Sequence, residues 1–417
     1  MRMWFYVFVS ILITSAVYSG TPEPYNANTV TGADILLNKR MDLILGKRLG
    51  IVTNHSALLS NGTHLVDTLF HRKDIKISAL FGPEHGIRGD APDGTSISHG
   101  KDDKTGLEVF SLYGGKVYKP TKDMLKDVDA LIYDIQDVGA RFYTFISTLF
   151  YTLQAGAENN IPVIVLDRPN PITGTKVDGP IRKEDVSSFV GIAPIPVMHG
   201  LTIGELATLF NESGMLGKNL KANLTVVKME NWKRDYYYDA TGLKWVKPSP
   251  NIPDLETAIV YPGMCLIEGS NVSEGRGTQA PFLTFGAPYI NSEKLKGELK
   301  KLAIKGAKFE NAEYTPVEIP NMASHPKFQG EKVNGLKIKV TNRNTFEPVQ
   351  FGIKLIYALH KLYPDKFKFS DSRFDRLIGD KVIKEKILSG KTANEVIKGW
   401  QKELNKFKEL RKKYLLY

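Results

Sequence analysis

Three apolar runs in this chain end in carboxylates with a cation close behind. The run at 75–81 ends in Gly82-Pro-Glu-His-Gly-Ile-Arg88, the run at 130–135 in Asp134-Ile-Gln-Asp-Val-Gly-Ala-Arg141, and the run at 161–166 in Asp167-Arg-Pro-Asn-Pro171. A single acidic strand end means little, because Asp is a common helix cap. Three such ends, each beside an Arg or His, point to an anionic or sugar ligand and to acid–base chemistry. Cleavage of a glycosidic bond needs one carboxylic acid to protonate the leaving oxygen and, in the usual scheme, a second carboxylate to attack carbon or activate water. Glu84 suits the acid, because the Gly residues around it allow a ligand to approach. Asp134 or Asp137 ranks first for the second group and Glu274 next. The competing reading of each is a cap or turn residue. His85 could orient Glu84 or contact the ligand.

A fourth segment, Glu268-Gly-Ser-Asn-Val-Ser-Glu-Gly-Arg-Gly-Thr278, sets Asn271, Glu274 and Arg276 among small residues, as a binding loop would. Arg276 could hold a ligand carboxylate through two parallel hydrogen bonds. Arg141 and Arg88 are the next candidates for that task. Asp167 and Tyr143 complete the expected ligand contacts, and Trp232, Trp245 and Tyr261 are further rings able to stack on a sugar.

Such residues need elements to hold them. The runs at 49–53, 75–81, 130–135, 161–166 and 224–228 are continuous rather than alternating, as in strands covered on both faces. Helical patterns lie between them. One runs over 142–153, and another follows the capping box of Thr202 and Glu205. This alternation predicts an α/β fold: a Rossmann-like, doubly wound, mostly parallel sheet with right-handed crossovers. Ligands of such sheets bind beyond the carboxyl ends of the strands. From 248 to 290 the chain becomes rich in Pro, Gly, Ser and Asn, which reads as a functional loop region. Beyond it come a helix near 292–303, strands near 309–318 and 336–341, a helix over 349–362, and a last helix from Thr392 through Trp400, Leu404 and Phe407. The expected division is a catalytic domain at 30–245 and a smaller α+β domain at 246–417 that contributes to the cleft.

Composition limits the remaining classes. With 417 residues, 42% hydrophobic and 24% charged, the chain reads as globular and two-domain. Its start, Met1-Arg2-Met3 followed by apolar residues to Val17 and small ones near Gly20, reads as a signal peptide over 1–20. Export to the periplasm or the extracellular space follows, with no stable membrane insertion once the signal is removed. The lone Cys265 excludes an intramolecular disulfide. The net charge of +11 is concentrated in residues 361–417, where sixteen Lys and Arg face eight Asp and Glu. Their helical spacing reads as a solvated face rather than a nucleic-acid surface. There is no Gly-x-Gly-x-x-Gly after the first strand, no His-Glu-x-x-His and no Gly-x-Ser-x-Gly. Nothing therefore argues for a dinucleotide or any other cofactor, for a bound metal, or for an α/β-hydrolase nucleophile.

Five motifs in order, Phe81-Gly-Pro-Glu-His-Gly-Ile-Arg-Gly89, Tyr133-Asp-Ile-Gln-Asp-Val-Gly-Ala-Arg-Phe-Tyr143, Leu166-Asp-Arg-Pro-Asn-Pro171, His199-Gly-Leu-Thr-Ile-Gly-Glu205 and the segment at 268–278, resemble the exo-β-N-acetylmuramidase family of NamZ-like glycoside hydrolases. The resemblance covers nearly all of 30–417. It implies an exo-acting enzyme that releases β-1,4-linked N-acetylmuramic acid from non-reducing ends of peptidoglycan-derived saccharides during cell-wall turnover. It implies a cleft between a Rossmann-like domain and a smaller one. It also implies that the catalytic glutamate of the family's Pro-Glu-His-Gly motif is Glu84 here. Two other readings remain open: a non-catalytic cell-wall sugar-binding protein, and a serine hydrolase or amidase acting on peptide stems through Ser324-His-Pro-Lys327.

Overall fold

The computed structural model describes residues 28–89, 100–115, 117–370 and 372–417. The apolar N-terminal run and the segment at 90–99 lie outside these residues. A seven-stranded sheet forms the first half. Its strands are β1 (Arg48–Thr53), β2 (Lys76–Gly82), β3 (Gly100–Lys101), β4 (Glu108–Ser111), β5 (Ala130–Asp134), β6 (Val163–Leu166) and β7 (Leu224–Val227), in the order β3-β4-β2-β1-β5-β6-β7. Only the short β3 runs antiparallel, against β4. The five apolar runs are all strands, and β5 and β6 are buried along their whole length. The continuous runs of β5 and β6 are thus covered on both faces, as expected, whereas β3 and β4 are too short and too polar to leave a pattern.

The chain moves from β1 outward to β2 but places β5 on the other side of β1, so the topological switch point lies between β1 and β5. A local polar network occupies the loops there. Asn54 Oδ1 accepts from Ser56 Oγ at 2.5 Å, and Ser56 Oγ accepts the Gln136 N–H at 3.0 Å.

The expected helix over 142–153 begins later, at Phe145, and runs to Glu158. Phe142 to Thr144 instead form the turn leading out of β5. Thr144 stands at the helix entrance without capping it, since its backbone is already helical at φ −65° and ψ −18°, and its hydroxyl points to Glu84 instead. The capping box of Thr202 and Glu205 is present and starts the helix Ile203–Glu212.

The second half holds a three-stranded antiparallel sheet, β8 (Thr284–Ala287), β9 (Ala307–Tyr314) and β10 (Val333–Val340), with β10 central. The stretch at 248–290 is more ordered than a loop region. It contains the helix Leu255–Met264, which tolerates Pro262 near its end, and β8. That helix crosses Pro348–Leu362 backbone to backbone. A Cβ on Gly263 would stand 1.9 Å from the Pro348 carbonyl oxygen, and one on Gly352 would stand 2.5 Å from the Gly263 carbonyl oxygen. Two facing glycines therefore allow the contact, and the turn Cys265–Gly269 follows directly from the crossing helix. The C-terminal helical pattern is interrupted at Gly399 and Trp400, giving Ala393–Lys398 and Gln401–Arg411. Lys398, Lys402 and Lys406 are exposed, whereas Arg411 turns inward to donate to the Gly174 and Gly200 carbonyls, and Leu404 and Phe407 are buried. One apolar core passes through both halves. At their junction Phe142 meets Tyr261 edge to face, with ring centroids 5.4 Å apart.

Candidate active site

A cavity of about 680 Å³ opens beyond the carboxyl ends of β2, β4 and β5 and is completed by the second half of the chain. Glu84 and His85 enter it from the turn after β2, and Tyr113 from beyond β4. That turn is tight. The Gly86 N–H bonds the Pro83 carbonyl at 3.0 Å, and both His85 and Gly86 take φ of 71°. A non-glycine residue in the left-handed region is costly, and such residues concentrate at functional sites. Here the strain aims the Glu84 side chain at the cavity while His85 stays buried. Thr144 Oγ1 donates to Glu84 Oε2 at 2.7 Å. The Tyr113 phenol also hydrogen-bonds Glu84, and burial followed by the Glu84 charge pushes that phenol's pKa up. Glu84 is thus held by hydroxyls from two different loops.

The second half supplies Glu268, Glu274, Arg276, Lys327, Arg373 and Arg376. Arg276 Nη2 lies 2.9 Å from Glu268 Oε1 and its Nε 3.5 Å from Glu274 Oε1, with the guanidinium 5.2 Å over the Phe282 ring. Burial lowers the Arg276 pKa to about 10. Burial likewise raises that of Glu268, against the pull of Arg373, whose Nη2 sits 2.5 Å from Glu268 Oε2. Lys327 Nζ is surrounded by acceptors: the carbonyls of Ile267 at 3.2 Å, Glu268 at 3.4 Å and Val272 at 3.0 Å, and Glu274 Oε2 at 3.0 Å. An ammonium so occupied is a structural donor rather than a base. Ser324 lines the cavity, but among the described residues no hydrogen bond joins it to Lys327.

Of the residues expected at the site, the structure gathers Glu84, His85, Tyr143, Glu274 and Arg276 around the cavity. The others have other commitments. Asp134 is fully buried in a pair with Arg168, whose Nε lies 2.5 Å and Nη2 3.0 Å from its two oxygens. Asp137 accepts the Gly139 N–H at 2.8 Å and lies 3.5 Å from buried His199. Asp167 accepts from Thr202 Oγ1 at 2.8 Å, Gly204 N at 2.7 Å and Tyr417 Oη at 2.7 Å. Burial raises the Asp167 pKa to about 7. Arg88 pairs with Asp102 and Asp67 at 2.7 and 2.8 Å. Arg141 donates to the carbonyls of Pro180, Ile195 and Leu377, each at 2.8 Å. Asn271 ties its loop to Lys366 and Lys368. Trp232 and Trp245 pack on Tyr417 and Tyr238, whereas Tyr261 lines the cavity.

Sequence reasoning passed over Tyr113, Thr144, Glu268, Arg373 and Arg376. Glu268 opens the same Gly- and Ser-rich segment as Glu274, and that shared segment was the available signal. Among the described residues no group of three or more His, Cys, Asp or Glu is placed to hold a metal ion.

The architecture has close counterparts. The N-terminal family model of exo-β-N-acetylmuramidase NamZ matches residues 49–256, and the C-terminal one matches residues 259–417. Peptidoglycan β-N-acetylmuramidase NamZ of Bacillus subtilis (strain 168) is 45% identical over 426 residues, covering 100% of both chains. Two crystal structures of DUF1343 family proteins from Bacteroides fragilis NCTC 9343 share the fold. One has a TM-score of 0.86 at 36% identity, over 94% of this chain and 99% of its own. The other has a TM-score of 0.75 at 33% identity, over 93% of this chain and 99% of its own. Matched along nearly its whole length by both halves of one family, the chain belongs to the exo-β-N-acetylmuramidase NamZ family.

Proposed function

We propose that this protein is an exo-acting glycoside hydrolase that releases terminal β-1,4-linked N-acetylmuramic acid from peptidoglycan fragments. The observation that carries the reading is the pairing, around one cavity of about 680 Å³, of Glu84 from the sheet with Glu268 and Glu274 from the second half of the chain. Glu84 is the general acid in this scheme: the hydroxyls of Thr144 and Tyr113 fix its rotamer, and its carboxyl delivers a proton to the glycosidic oxygen. Glu274 is the second carboxylate, steadied by Lys327 and Arg276, and serves the anomeric carbon either directly or through water. Asp134 drops out of the role, because an ion-paired carboxylate with no exposed surface cannot reach a sugar. Asp137, absent from the cavity lining, drops out with it. Tyr261 and Tyr143 offer ring faces or edges to the sugar.

Export is part of the proposal and rests on the cationic, apolar and small-residue sequence of 1–20. N-terminal sequencing of the secreted protein would test it. The activity is tested by incubating the protein with a chromogenic glycoside of N-acetylmuramic acid, the matching N-acetylglucosamine glycoside and a muropeptide stem. Release of chromophore from the muramic glycoside alone is expected. Cleavage of the stem peptide with no glycoside turnover would transfer the assignment to the amidase reading, and binding of the sugar without turnover to the non-catalytic one.

A further inference from the structure

The four cations around the cavity differ in how much of their charge is already spent. Arg276 is enclosed by Glu268 and Glu274, and Lys327 is saturated by three carbonyls and Glu274. Arg373 gives one nitrogen, Nη2, to Glu268, while its Nε and Nη1 bond nothing among the described residues and its side chain is 59% exposed. Arg376 pairs with no carboxylate among the described residues. Its guanidinium donates only to the carbonyl and hydroxyl of Ser372, at 3.4 and 2.8 Å, and it is exposed on the cavity wall. Arg373 and Arg376 stand three residues apart on the helix Arg373–Ile378, a spacing that puts both on one face.

That helix is anchored firmly. Arg141 reaches from the turn after β5 to donate to the Leu377 carbonyl at 2.8 Å, and the Lys183 N–H bonds the Gly379 carbonyl at 2.7 Å. The N-terminal half thus fixes where the two arginines sit relative to Glu84. Arg141, once a candidate ligand contact, acts here through the helix it holds.

We propose that Arg376, with the unbonded edge of Arg373 beside it, binds the carboxylate of the 3-O-lactyl group that distinguishes N-acetylmuramic acid from N-acetylglucosamine. The inference rests on the muramidase reading and names the residues that give it selectivity. A planar guanidinium with free donors recognises a carboxylate through two parallel bonds, and an already neutralised Arg276 has less to offer.

The test compares N-acetylmuramic acid with its lactyl methyl ester, as free ligands by calorimetry and as chromogenic glycosides by turnover, in the wild type, Arg376→Met and Arg376→Lys. The wild type should favour the acid over the ester by about tenfold or more, the scale of one charge-assisted contact. Arg376→Met should collapse that ratio by weakening the acid and leaving the ester unchanged, while Arg376→Lys restores part of it. A wild-type ratio in Arg376→Met, or equal affinity of the wild-type protein for acid and ester, would overturn the assignment. Failure of the wild type to turn over any muramic glycoside would instead count against the enzymatic reading, because calorimetry judges the anion site without catalysis.

Discussion

Beyond β5 and β6, charged groups are packed against one another and shut off from solvent. Beyond β2, similar groups face a cavity. In the first region Asp134 and Arg168 neutralise each other with 0% and 4% of their side chains exposed, and Asp167 collects hydroxyl and amide donors, including the Tyr417 phenol. In the second, Glu84 is steadied by Thr144 and Tyr113 yet lines open volume, and Arg373 leaves most of its guanidinium to solvent. Both regions show carboxylates at strand ends beside cations, and both look alike in sequence. The difference is whether the charged groups already hold one another away from solvent, as Asp134 and Arg168 do, or face an open cavity. A closed set holds the fold together, whereas an incomplete set beside a cavity is where a ligand can supply what is missing.

The comparison predicts opposite phenotypes. Removing a member of the closed set should cost stability and leave the chemistry intact. Asp134→Ala strands the Arg168 guanidinium without its partner and should destabilise the fold by about 3–5 kcal/mol, the usual cost of breaking a buried pair. Denaturant unfolding measures this, and the kcat/KM of the remaining folded protein should stay near the wild-type value.

Next in size is the pH dependence of Asp167. Its folded pKa of about 7 stands above the ordinary carboxylate value, so the folded state holds a proton that the unfolded state releases. This contribution is fully present below about pH 4 and is lost as pH rises toward 7, amounting to a few kcal/mol at about 1.4 kcal/mol per pH unit. Asp167→Asn should flatten that part of the stability curve. An unchanged slope between pH 4 and 7 would place the titration elsewhere.

A smaller effect separates the two regions most sharply. Thr144→Val removes the hydroxyl that steadies Glu84 but no helix cap, because Thr144 does not cap the helix it precedes. Catalytic rate should fall about five- to tenfold, the net value of one ordinary hydrogen bond, with unfolding moved by only a few tenths of a kcal/mol. Loss of stability without loss of rate would reverse the roles drawn here. At the far end of the molecule, Thr392→Ala dissolves the capping box of the helix Ala393–Lys398 and should cost about 1 kcal/mol with no change in turnover.

Much of the scaffold was legible because buried parallel strands leave continuous apolar runs and capping boxes mark helix starts, as at Thr202 and Thr392. Elements with weaker local signals were not legible. Strands β3 and β4 are short, Leu255–Met264 carries Pro262, and the turn at Gly399 breaks a pattern that periodicity alone would continue. At the site, the motif around Glu84 announced a turn at a strand end. Which Asp or Arg joins it depends on partners far along the chain, such as Leu377 for Arg141, 236 residues away. Spacing within a motif cannot reveal that a side chain is already taken. Hence Asp134 looked like a catalytic carboxylate and Arg141 like a ligand contact, while Arg373 and Arg376, in an unremarkable basic stretch, drew no such reading.

The central claim is that Glu84 is the acid of this cavity. Its most direct test is kcat/KM on the muramic acid glycoside for the wild type and Glu84→Gln, with thermal unfolding of both proteins recorded side by side. The substitution keeps shape and hydrogen-bonding capacity but removes the transferable proton. The account predicts a fall of about two to four orders of magnitude with an unchanged unfolding transition. A folded Glu84→Gln protein that turns over substrate near the wild-type rate would contradict it.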